Sequence, residues 1–138
     1  MLAPLVGATR PSLADALTTA HSLLAPIRLE LQQVLAQPPR ADRVAVTSDR
    51  LVAWRRALES ARAVLVRSIL GLFLIEPLRT LFPLILGPIG DAIALLGSVP
   101  VPERDPTLLL MLPEALLRRL LSAVATADAL VLVALRVV

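Results

Sequence analysis

A chain of 138 residues with no cysteine, one histidine, 57% apolar residues and a net charge of +3 has one domain's length and is too hydrophobic for disorder. Without thiols and with a single imidazole it is not a disulfide scaffold, a zinc finger or a thiol enzyme, and two Phe, one Trp and no Tyr make a poor base-stacking platform. Charged residues are 18% and mean hydropathy is +0.77, so large apolar patches must reach the surface, and such patches mark protein partners or membranes.

The start, MLAPLVGATR, lacks a basic region and a long apolar run, so no classical secretory signal peptide is expected. The first helix is predicted over 12–36. Pro11 precedes it, and Ser12 with Asp15 makes a capping box. Leu13, Leu17, Ala20, Leu24, Ile27, Leu31 and Val34 recur at alternating spacings of 4 and 3, the seam of a helix packed on another helix. Pro26 interrupts that seam and predicts a kink. Gln37-Pro38-Pro39-Arg40 is a break.

A second helix is predicted from about Ser48 to Ile75, with a turn from Asp42 as an earlier start. Its seam is Leu51, Trp54, Leu58, Ala61, Leu65 and Leu72, and Arg55, Glu59 and Arg62 form a solvated face. After Arg67 the polar face disappears, as in a helix entering dry surroundings. Glu76 and Arg79, three apart, are expected to pair. Pro77 and Gly87 bracket a short third helix, and Gly90-Asp91 caps a fourth over Ala92–Leu96 that ends at Gly97. Residues 98–105 read as a Pro-rich loop. The last helix is predicted from about Pro113 to Leu135, with the stripe Leu117, Leu121, Val124, Asp128, Val131 and Leu135. No period-two pattern predicts a strand. The expected fold is all-α, one domain: a kinked N-terminal hairpin over 12–67, short Pro/Gly-broken apolar helices and a long C-terminal helix within an apolar packing region, 68–138.

Stretches free of Asp, Glu and Arg run over 16–27, 80–90 and 92–102, all shorter than the roughly 18 residues of a clean span. Residues 80–102 would enter a bilayer or a protein groove only as broken helix. All 14 basic residues are Arg, with no Lys, Asn or Tyr, a pattern of GC-rich coding rather than of a site built for guanidinium. Residues 40–67 carry seven Arg against Asp42, Asp49 and Glu59. A basic helix before an apolar stretch suits anionic headgroups. Arg43, Arg50, Arg55, Arg56, Arg62 and Arg67 are the headgroup or phosphate candidates. Leu72, Phe73, Leu81, Phe82, Ile85 and Leu95 are the expected apolar contacts with a partner or membrane.

His21 reads as a packed or half-exposed helix residue. Asp91 reads as a helix cap, and Arg118-Arg119 as a solvated face with a phosphate site as the alternative. Asp128, on an apolar stripe, needs a partner, and an Arg of a neighbouring helix or chain would serve; a proton path is the alternative. No nucleophile elbow, dinucleotide loop or P-loop occurs. No enzyme activity, cofactor or metal is expected. The sequence predicts a structural or accessory subunit of a larger assembly, membrane-associated, whose partners are other protein subunits, with a lipid bilayer as a further partner. One alternative is a helical coat or filament protein that holds nucleic acid through the Arg-rich helix over 43–67. A second is a carboxylate-dependent transporter component or enzyme using Asp91 or Asp128.

Overall fold

The computed structural model describes residues 12–38, 40–69, 74, 76–101 and 105–138. The order of elements is α1 (Leu13–Leu35), β1 (Arg43–Thr47), α2 (Ser48–Ile69), α3 (Leu78–Gly97), β2 (Leu109–Pro113) and α4 (Glu114–Val137). The fold is mainly all-α: four helices and one two-stranded sheet among the described residues.

Helix α1 starts where its cap dictates. The Ser12 hydroxyl accepts the Asp15 N–H at 3.1 Å, satisfying one of the free amides at the helix start. Helix α1 is continuous through Pro26 and buries Ala16, Leu17, Ala20, Leu24, Ile27, Leu31 and Val34. Helix α2 buries Leu51, Trp54, Leu58, Ala61 and Leu65, and ends at Ile69; the expected extension to Ile75 falls largely outside the described residues.

Each helix packs on two neighbours: α1 on α2 and α4, α3 on α2 and α4. The diagonals are therefore α1/α3 and α2/α4. One core runs through the middle, with Trp54 and Phe82 its largest fully buried side chains.

Two expectations are corrected. First, residues 78–97 form one helix, where two short ones were predicted, and it passes through Pro83, Gly87, Pro88 and Gly90 without ending. An internal Pro costs about 3 kcal/mol and a Gly about 1. Against that, Phe82, Ile85, Ile89, Ala92 and Leu96 share one buried face, and each large side chain of that face contributes roughly 1.5–3 kcal/mol. Ending the helix at Gly87 would turn half of that face out of register with the core.

Second, strands are present. Strand β1 pairs antiparallel with β2 in the register Arg43↔Pro113 to Thr47↔Leu109. Val44 and Val46 point into the core from β1, and Leu112 from β2. A tight turn enters β1, with Ala41 and Asp42 at φ 51° and 61°, both in the left-handed region used by reversed hairpin turns. Because each strand runs directly into a helix, the sheet ties together the first turns of the diagonal helices α2 and α4. The loop before β2 adds a second clamp: Ser48 N–H donates to Leu108 O at 2.9 Å and Asp49 N–H to Pro106 O at 3.0 Å.

Candidate functional site

The most concentrated chemistry lies between α1 and α4. Asp128 is fully buried on α4. His21 and Arg28 of α1 face it, with half-exposed side chains. They are seven residues apart, two turns along one helix face, and bracket the carboxylate. His21 Nδ1 lies 2.6 Å from Asp128 Oδ1. Arg28 Nη1 lies 3.4 Å from Oδ2. An ionised carboxylate only accepts hydrogen bonds, so with Asp128 charged the imidazole carries its proton on Nδ1. Oδ2 has no hydrogen-bonded partner among the described residues; the Arg28 contact is one of charge alone. Burying an unpaired carboxylate is expensive, so the His21 hydrogen bond and the nearby Arg28 guanidinium are what let α4 present Asp128 to α1.

The arrangement resembles the base-and-orienter half of a catalytic triad without its nucleophile. Two hydroxyls beside His21 on α1 bond to the helix backbone instead: Thr18 donates to Ala14 O at 2.8 Å and Ser22 to Thr19 O at 2.6 Å. Among the described residues no three His, Asp or Glu side chains converge to hold a metal ion. What the cluster does by its geometry is fix the register of α1 against α4.

A second polar contact enters the core between α1 and α2, where the buried Trp54 indole N–H donates to the Glu30 carboxylate. Sequence reading missed the partnerships of His21, Arg28 and Glu30. Only the isolation of Asp128 on its apolar stripe carried a signal.

The basic candidates lie on β1 and along α2, and Arg55 and Arg56 line a groove beside Leu96 and Val101. Arg43, Arg55, Arg56, Arg62 and Arg67 are exposed, and Arg50 is half-buried. Arg55 Nε is 3.3 Å from Glu59 Oε1, and Arg43 Nη1 donates to Met111 O at 3.1 Å. At the start of α2 the hydrogen bond from the Thr47 side chain holds the Asp49 carboxyl below the usual carboxylate range. Helix α2 thus carries a solvated, net basic face on the side of the bundle away from α4.

The apolar candidates divide. Phe82 and Ile85 are buried in the core and are corrected from surface contacts to packing residues. Helix α3 turns that face inward to meet α2 and α4. Leu81 and Leu95 are half-buried, and Leu72 and Phe73 lie outside the described residues. The exposed apolar side chains on this side are Leu84 of α3 and Leu132, Val133 and Val137 of α4. Helices α3 and α4 are each long and apolar enough to cross a bilayer.

Three smaller expectations also change. Asp91 is no cap; it sits exposed within α3. Glu76 accepts the Thr80 hydroxyl, and it forms no ion pair with Arg79 among the described residues. Arg118 is engaged by Glu114, with Nε 2.8 Å from Oε1. Arg119, its neighbour, instead lines an open groove of about 570 Å³ between α3 and α4, together with Asp91, Ser98, Ser122 and Thr126.

Compared with known protein families, curated proteins and solved structures, the chain finds no match.

Proposed function

We propose that this chain is a non-catalytic structural subunit, membrane-associated, that works through the outer apolar faces of α3 and α4. One observation carries the reading. Between Thr80 and Leu135, α3 and α4 carry five charged residues: Glu114, Arg118 and Arg119 near the start of α4, Asp91 exposed in the middle of α3, and Asp128 sealed inside. A soluble helix facing water alternates an apolar stripe with a charged one. These two helices are apolar on the core side and nearly uncharged outside, while α2 carries the arginines on the other side of the bundle. The molecule is two-sided, and the side with little charge is the one suited to lipid or to a protein partner.

In this reading the arginine face of α2 points away from the apolar contact and remains in water or meets a separate anionic surface. Flotation of the purified chain with liposomes separates these roles. The expected result is co-flotation with neutral and anionic vesicles alike, retained at high salt, because burial of apolar surface is not screened as charge contacts are. Flotation restricted to anionic vesicles and lost in salt would shift the contact to α2. Failure to float, with steeply salt-dependent binding to any DNA or RNA, would replace this reading with that of a nucleic-acid coat.

A further inference from the structure

We infer that the α3–α4 groove is the seat of a second copy of this chain, in a two-fold dimer held by reciprocal Asp91–Arg119 ion pairs. The inference rests on the subunit reading above and names the partner.

Helix α3 has two seams. The inner one, Phe82, Ile85, Ile89, Ala92 and Leu96, is filled by the core. The outer one runs through Leu84, Pro88, Asp91, Leu95 and Ser98 at spacings of 4, 3, 4 and 3, the repeat that seats another helix. Four of these five line the groove, and Leu84, just beyond it, is 52% exposed. Facing them from α4 are Arg119, Ser122, Ala123 and Thr126. Most of these side chains are small: Pro88, Ala94, Ser98, Ser122, Ala123 and Thr126. A partner helix can therefore approach closely.

The groove is an open trough. Small-molecule sites enclose most of their ligand, so its shape suits a macromolecule better. Its charges choose which one. One wall offers a carboxylate, the other a guanidinium, both exposed, and neither has an ion-pair partner among the described residues. A surface with one unpaired charge of each sign is complementary to itself: a two-fold axis between them sets Asp91 of one copy against Arg119 of the other, twice. In low-dielectric surroundings a lone Asp91 would be costly, and pairing across the dimer removes that cost.

The test is a charge swap read by multi-angle light scattering on the purified full chain in mild detergent. The native chain is expected to be a dimer. Asp91→Arg and Arg119→Asp should each weaken it by about tenfold or more, since each puts like charges face to face. The double variant Asp91→Arg/Arg119→Asp should recover the dimer. The absence of cysteine gives a second readout: Thr126→Cys should cross-link between copies on oxidation, and Ser60→Cys, on the outer face of α2, should not. A monomer at tens of micromolar, an assembly indifferent to both charge reversals, or cross-linking at Ser60→Cys alone would overturn the proposal. Flotation of the same variants is scored separately, so a chain that floats without dimerising refutes this inference and leaves the membrane reading standing.

Discussion

The double variant His21→Leu/Arg28→Leu should lose about 3–5 kcal/mol of stability at neutral pH, the cost of leaving a buried charge without its partner. That is a large part of the roughly 5–15 kcal/mol that holds a domain together. Asp128 has no exposed edge, and its two oxygens meet only the His21 imidazole and the Arg28 guanidinium among the described residues. Adding Asp128→Leu to the double variant should restore most of the loss, because an apolar set of similar volume packs as well as a buried ion pair or better. The difference between double and triple variants, measured by urea unfolding, isolates the electrostatic role. Equal stability of the two would mean that water reaches Asp128 and that the cluster does not lock α1 to α4.

Trp54→Ala should cost a similar amount, about 3–5 kcal/mol, the range for removing a large aromatic from a core. Trp54 is 1% exposed and is the largest fully buried side chain. Trp54→Phe keeps much of the packing and removes only the N–H that Glu30 accepts. Its cost should fall to about 1–3 kcal/mol, the range for a polar group left without its partner. Thermal unfolding followed by circular dichroism ranks the two. If Trp54→Phe were as damaging as Trp54→Ala, the indole–carboxylate contact would outweigh the packing around it.

The helical seams were legible because each helix has a single buried face and the 4–3 spacing reports it. All of the α1 seam except Leu13 is buried, and so is the α2 seam from Leu51 to Leu65. In α4 the stripe was read one residue off at two places: Leu120 and Ala134 are buried where Leu121 and Leu135 were expected. Leu and Ala fill both sides of that helix, so its pattern has little contrast. Helix α3 was misread because Pro and Gly are local signals, and the packing of Phe82, Ile85 and Ile89 outweighs them.

Strand β1 shows alternation at Val44 and Val46, but five residues before a helix cap are a weak signal. Its partner, Leu109–Pro113, has no alternation in the sequence at all. It becomes a strand only because β1 lies beside it. The cluster of His21, Arg28 and Asp128 joins residues 107 positions apart. Sequence gives the need for a partner at such a carboxylate, and only the fold says which side chains meet it.

The central claim is that the outer α3–α4 side, and not the arginine face of α2, meets the apolar surroundings. Because the chain lacks cysteine, single fluorescent labels at Leu132→Cys and Val133→Cys, exposed on α4 outside the groove, and at Ser60→Cys, read against vesicles whose acyl chains carry a quencher, test it directly. Strong quenching at Leu132 and Val133 with little at Ser60 is the predicted result. Quenching at Ser60 as strong as at Val133, or none at either α4 position, would contradict it.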